Sequence, residues 1–372
     1  MKKTFLALVG ILCMLTASAN PRTALLIGYD SENNEAMNAQ EKAACAMFKD
    51  LNPDGTIIPS GRTDLITTDN FDCIWVHIDR VGLGLGNLPA GFNDEATINA
   101  LGDYLRNGGN LYLTKHATQL VSRIGRIDPK FALTIFGDGE GGKGTDVWAV
   151  QAQFGYDFIS QEPDKVYDPT QYYDRRGHAI YQGMEVVKDE AGNVIVPETF
   201  PLLGSGNNTE LHREDHNCMW DFNAYNKDGN NLYTSDGKNN LERFEKDNNA
   251  VALGTWGQVR DHACAGIIEF LPVAVSRANE TGTIIANGLA AYELAPREGT
   301  NGFTDNIRKL TANSINYLAT KTTTGIEDVT VADTDAAKEY FNLQGMRVDA
   351  ESLTPGLYIV RQGNNSTKIL VK

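Results

Sequence analysis

The chain lacks the short motifs by which several common catalytic folds are recognised. No Gly-x-Ser-x-Gly run occurs in its 372 residues, so the serine turn of the α/β hydrolases has no counterpart. Gly137 to Gly144 spells a glycine, four residues and then Gly142-Lys143, but Gly144 stands where a P-loop needs Ser or Thr for magnesium. Asp138 and Glu140 would also repel phosphate there. The loop Gly82-Leu83-Gly84-Leu85-Gly86 lacks the spacing of a dinucleotide fingerprint. Positive charge is in deficit, with 33 Lys and Arg against 48 Asp and Glu and a net charge of −15. Such a surface repels nucleic-acid backbones and anionic lipid, which leaves neutral sugars, metal ions and cationic partners open. No cofactor is expected.

Long hydrophobic runs are also missing. The longest, Phe5 to Thr16, falls short of the roughly 20 apolar residues of a membrane span. Preceded by Lys2 and Lys3 and followed by Ala17-Ser18-Ala19, it reads as an export signal over residues 1–19, with the mature chain starting at Asn20. The expected address is secreted or cell-surface, without an integral span once the leader is removed. Cysteine is scarce: beyond Cys13 in the leader there are Cys45, Cys73, Cys218 and Cys264. Four cysteines allow three pairings. Cys45 and Cys73 read as buried thiols, whereas Cys218 and Cys264, each beside a histidine and a strand, are the pair that a bridge or a shared site would join.

Apolar runs alternate with helical patterns. Ala24–Tyr29, Cys73–Ile78 and Leu111–Thr114 read as strands, separated by helix-spaced Ala36, Ala39, Ala43, Met47 and Leu51 and by Ile98, Leu101 and Leu105. Gly266–Phe270, Thr283–Asn287 and a closing helix through Ile307, Leu310, Ile315 and Leu318 follow. This order predicts an α/β fold: a doubly wound, mostly parallel, flavodoxin-like sheet over residues 20–320. Residues 137–250, rich in Gly, Asn, Asp and Tyr, read as a loop-rich insertion over the sheet. Residues 321–337 read as a linker, and 338–372 as a small all-β module.

In such a sheet, ligands bind beyond the carboxyl ends of the strands. The residues expected there are Asp30 and Glu32, then His77, Asp79 and Arg80, then Lys115, His116 and Thr118. His77 or His116 would serve as general base with Asp79 as orienting carboxylate. A second group, His212, Glu214, Asp215 and His216 with Cys218, and Asp261 and His262 with Cys264, contains zinc-ligand residue types. Its flanking residues suit a strand or turn, where the rings do not converge, so a hydrogen-bond network is expected and no metal site. Trp148, Tyr172, Tyr173 and Trp220 offer apolar faces that would stack on sugar rings.

The segments TALLIGYD, CIWVHID, LGDYLRNGGNLYLTKH, GHAIYQGM, GTIIANGLAAYEL and NIRKLTANSINYLA together resemble the ThuA-like branch of the class I glutamine-amidotransferase-like fold over roughly residues 22–320. Gly177-His178-Ala179-Ile180 is similar to a His-Pro-Ile segment of that branch, with Ala179 in place of proline, and brings His178 into the candidate set. Glutaminases of this fold place a nucleophilic cysteine on the turn after a strand; here that turn carries Lys115 and His116, and glutaminase activity is not implied. The same region resembles a Bacteroidetes domain of unknown function found behind fructan-type glycoside hydrolases. YFNLQGMRV and PGLYIVRQGNNSTKILVK resemble C-terminal sorting domains of Bacteroidetes secreted proteins, which implies secretion machinery as a partner. These resemblances imply an accessory role in polysaccharide use, with fructan the expected glycan, through carbohydrate binding. The competing expectation is a glycan hydrolase using the His/Asp group.

Overall fold

Cys73–Ile78 is buried at every position because it lies inside the sheet with helices on both faces. The structure is a computed structural model. It describes residues 20–371 outside 82, 85–87, 136–140, 144–146, 156–171, 190, 195–197, 205–210, 213–217, 223–239, 257–263, 278, 296–300, 322–337, 343–346, 351–352 and 363–364. The proposed leader, and the proposed linker beyond Lys321, lie outside the described residues. So does most of the His212–His216 and Asp261–His262 group, of whose side chains nothing is described.

Nine strands form the main sheet: β1 (Thr23–Leu26), β2 (Thr56–Ile58), β3 (Cys73–Ile78), β4 (Asn110–Lys115), β5 (Trp148–Gln151), β6 (Thr199–Leu203), β7 (Ala250–Trp256), β8 (Ile267–Phe270) and β9 (Ile284–Asn287). Their order is β6-β5-β7-β8-β9-β4-β3-β1-β2. The run β9-β4-β3-β1-β2 is parallel throughout. From β9 outward to β6 each pairing is antiparallel, so β8 and β5 oppose the common direction. The parallel half matches the sequence expectation. The other half corrects it, because β5 and β6 come from residues 137–250 and extend the sheet instead of lying over it. Their short apolar runs, WAVQ and TFPLL, are set among Gly-, Asn- and Asp-rich turns that hide them.

The helices are α1 (Ala39–Leu51), α2 (Glu95–Arg106), the short α3 (Leu120–Arg123), α4 (Asn240–Asn248) and α5 (Thr304–Thr320). Strand alternation sends Ile74, Val76 and Ile78 to one face, against Leu101 and Leu105 of α2, Val121 of α3 and Phe244 of α4. Cys73, Trp75 and Tyr112 point to the other face, against Phe48 of α1 and Ile307, Leu310 and Leu318 of α5. The sheet is therefore doubly wound. Cys45, Cys73 and Cys218 are buried thiols. The register sets Asp221, not Cys218, opposite Cys264, so no bridge spans that strand pair. A separate antiparallel sheet, ordered β11-β10-β12-β13, is built from β10 (Lys338–Phe341), β11 (Arg347–Val348), β12 (Gly356–Gln362) and β13 (Asn365–Val371). Among the described residues no helix is long and apolar enough to cross a membrane.

One close approach pins a crossing strand to the carboxyl end of β9. Gly288 accepts a backbone hydrogen bond from Cys218 at 2.8 Å, and a Cβ on Gly288 would sit 1.9 Å from the Cys218 carbonyl oxygen. The strand Cys218–Asp221 carries Trp220 into the core, so its displacement is felt there. Gly288→Ala is expected to destabilise the protein by about 2 kcal/mol, read as a lower urea midpoint. A midpoint equal to wild type would show that the strand is not held there.

Candidate functional site

From β1 the chain crosses through α1 to β2 on one side, and from β3 it crosses through α2 to β4 on the other. The two connections leave the gap between β1 and β3 on opposite faces, and at such a switch point the strand ends open a crevice. The register aligns the walls of this edge: His77 lies beside Thr114, Ile78 beside Lys115, and Asn287 on the far side of Thr114.

Five of the residues expected at the strand ends are gathered here. His77, Asp79, Arg80, Lys115 and His116 are all buried, with Asp79, Lys115 and His116 at 0% exposure. Lys115 ends β4 on a sharp turn with φ 56° and ψ −125°. Without glycine such a backbone costs on the order of 1–3 kcal/mol, and it recurs where a fold presents a functional side chain. The turn is stapled by Thr118 Oγ1, which donates to the Lys115 carbonyl at 2.6 Å. The Lys115 ammonium is not presented outward. Its Nζ donates to the Ala290 carbonyl at 2.7 Å and lies 3.9 Å from Asp79 Oδ2. Asp79 Oδ1 accepts from the Val81 backbone N–H at 3.0 Å.

The histidines differ from the sequence expectation. His77 is oriented by Thr114 Oγ1, 2.9 Å from Nδ1, and Asp79 acts on it only through space. Burial pushes the His77 pKa down to about 3, against the opposing pull of Asp79 and with help from the Lys115 ammonium. At neutral pH the ring is uncharged. His116 Nδ1 accepts from the Arg80 backbone N–H at 3.1 Å, so its neutral ring carries hydrogen on Nε2. With its lone pair engaged, His116 is not placed to take a substrate proton, which corrects its expected role as base.

Arg80 fastens the edge to α1. Its guanidinium is ion-paired with Glu41 and donates to Tyr29 Oη at 2.7 Å, while Tyr29 donates to Glu41 Oε2 at 2.7 Å. Burial and the Glu41 carboxylate push the Tyr29 pKa up to about 12. Asn38 caps α1 in a reciprocal box with Glu41 and donates from Nδ2 to the Asp79 carbonyl at 2.7 Å. Glu41, Tyr29, Asn38 and Thr114 were not singled out in the sequence. The Asn38-x-x-Glu41 spacing is a helix-start signal that points to two of them. Beside this network a small, partly open cleft is lined by His77, Tyr29, Glu41, Met37, Pro89 and Phe92 among others.

The remaining candidates lie elsewhere. Asp30 and Glu32 sit on the loop after β1 and bond locally, to Asn34 at 2.7 Å and to Lys49 at 2.5 Å. His178 packs edge-on to Tyr317 of α5, with Nε2 3.4 Å from Glu269 Oε2. Burial alone would raise the Glu269 pKa, but His178, Lys321 and Tyr317 outweigh it and hold the carboxyl at about 2. Trp148 and Trp220 are core residues, the latter at 0% exposure against Phe244 and Phe270. A ring so enclosed offers no face to a sugar, which corrects the expectation for both. Tyr173 is half-buried, bonded to Glu242 and stacked under Arg175. The Tyr172 side chain lies outside the described residues.

No protein-family model matches the chain, and no curated protein matches it. Among solved structures, it is similar to a ThuA-like protein from Parabacteroides merdae, with a TM-score of 0.23 and 14% identity over 53% of this chain and 82% of that one.

Two outcomes follow from the buried charges. Lys115→Met strands the Asp79 carboxylate and is expected to cost about 3–5 kcal/mol, most of it recovered in the Lys115→Met/Asp79→Asn double variant. Urea titration of the three proteins checks this, and a loss under about 1 kcal/mol would contradict it. For His77, the folded pKa near 3 lies below the unfolded value near 6.5. Between those values the unfolded chain binds more protons, so stability is lost as pH falls through that window. Wild type is expected to lose more stability than His77→Gln between about pH 7 and about pH 4.5. Equal losses would refute the buried neutral ring.

Proposed function

We propose that the protein is an exported accessory of extracellular polysaccharide use, with fructan the favoured glycan, and that it binds neutral carbohydrate at the carboxyl edge of its sheet without breaking a bond. The observation that carries the non-catalytic part is the inward course of Lys115. At the turn where a sheet of this type presents its nucleophile, this chain places an ammonium tied to the Ala290 carbonyl and to Asp79. The other charges of the edge are likewise engaged, Arg80 with Glu41 and Tyr29.

The hydrolase reading needs a general base, and neither histidine supplies a good one. His116 has its Nδ1 lone pair on the Arg80 N–H, and His77, with a pKa near 3, takes up a proton too reluctantly for efficient base catalysis near neutral pH. Neutral ligands are favoured because the edge holds no uncompensated cation among the residues named. Export rests on the leader, and surface sorting on the C-terminal module, whose described strands bury little beyond Tyr358 and Val360.

Calorimetry with fructooligosaccharides and fructan, followed by chromatography of the mixture, tests the reading. Saturable heat with no released sugar is expected. Product formation would make the protein an enzyme, and absence of both binding and turnover across a glycan panel would remove the carbohydrate role.

A further inference from the structure

The wiring around Thr114 fixes what the cleft can hold. Thr114 Oγ1 lies 2.9 Å from Trp75 Nε1, 2.9 Å from His77 Nδ1 and 3.2 Å from the Val76 carbonyl oxygen. A hydroxyl has one hydrogen and two lone pairs. The indole N–H is a donor only and occupies one lone pair. The carbonyl is an acceptor only and takes the hydrogen. All three contacts are hydrogen bonds together only if His77 Nδ1 carries a proton and donates to the second lone pair. The neutral ring then has a bare lone pair on Nε2. His77 is 5% exposed, lines the cleft, and its Nε2 has no partner among the described residues.

Leaving a buried acceptor unsatisfied costs about 1–3 kcal/mol, so a donor that reaches it is favoured by part of that amount. The rest of the cleft narrows the choice of donor. Glu41 is an acceptor already shared between Arg80 and Tyr29, and the Tyr29 hydroxyl both accepts from Arg80 and donates to Glu41. Met37, Pro89 and Phe92 supply apolar wall. Phe92 and Pro89 are seated against Gly28 so tightly that a Cβ there would lie 2.6 Å from Pro89 Cβ. Among the described side chains of this cleft, an anion meets acceptors and hydrocarbon and no free donor.

We infer that His77 Nε2 anchors a single hydroxyl donated by a neutral ligand, whose carbon skeleton packs on Phe92 and Pro89, and that the cleft rejects phosphate and carboxylate. This rests on reading the strand edge as a binding site for neutral carbohydrate, and it specifies the polarity of the contact: the ligand gives the hydrogen and the protein receives it.

The test uses the full chain labelled with ¹⁵N-histidine and long-range proton–nitrogen correlation spectra, with His77 assigned by its absence in His77→Phe. Free protein is expected to show Nδ1 protonated and Nε2 bare. Titration with propane-1,2-diol is expected to move the Nε2 resonance saturably, whereas 1,2-dimethoxypropane, the same skeleton without a donor, and inorganic phosphate leave it in place. His77→Phe is expected to weaken the diol, followed through the Met37 methyl signal, about tenfold. Should that variant fail to fold, the wild-type tautomer and the diol/diether contrast decide alone. A protonated Nε2 in the free protein, an equal response to the diether, a saturable response to phosphate, or no response to the diol each overturns the inference. Diol binding without any glycan binding leaves the inference standing and removes the polysaccharide role. Glycan binding with no diol response at Nε2 does the reverse.

Discussion

Two opposite charges held out of water, Asp79 and Lys115, govern the carboxyl edge of this sheet. Each would be costly alone, and their attraction is joined by one hydrogen bond from a neighbour on each side. Val81 donates to Asp79, and the Ala290 carbonyl accepts from Lys115. The pair also accounts for the backbone of Lys115. A non-glycine residue stays at φ 56° when its surroundings over-determine it, and here the ammonium at one end and the Thr118 staple at the other do so. The same enclosure acts on the residues around it. His77 is kept neutral by burial, and the Cys218 thiol is pushed up to about 12 by burial despite the nearby ammonium.

The charges named at this edge compensate one another, and the same pairs hold it in place. Arg80 and Glu41 join β3 to the start of α1, and Asn38 joins α1 to the end of β3, so the wall of the cleft is fixed from two directions. A second polar group, Glu269 with His178, Tyr317 and Lys321, ties the segment around His178 to the end of α5. Its work is structural: it depresses a buried carboxyl and anchors a loop on the face opposite α2.

Much of the parallel half was legible because fully buried parallel strands are written as continuous apolar runs. Cys73–Ile78 and Leu111–Thr114 coincide with β3 and β4 to within a residue or two, and the gathering of His77, Asp79, Arg80, Lys115 and His116 follows from that alignment. What those residues do to one another was not legible. Which nitrogen of His77 carries the proton depends on Thr114 and Trp75, whose contacts cross between strands, and the state of His116 depends on a backbone N–H from Arg80. The antiparallel half was hidden because β5 and β6 are four and five residues long, set in turn-rich sequence. Trp148 and Trp220 were misread for the same reason: an aromatic in a polar neighbourhood looks like a ligand platform until its strand is known to face the core.

The most direct test of the buried pair is native-state amine labelling with an acylating reagent, read by peptide mass spectrometry. Lys115 is expected to remain unmodified while exposed lysines such as Lys49 react, and to become reactive only after unfolding. Modification of Lys115 in the folded protein at a rate comparable to Lys49 would place its ammonium in water and contradict the account.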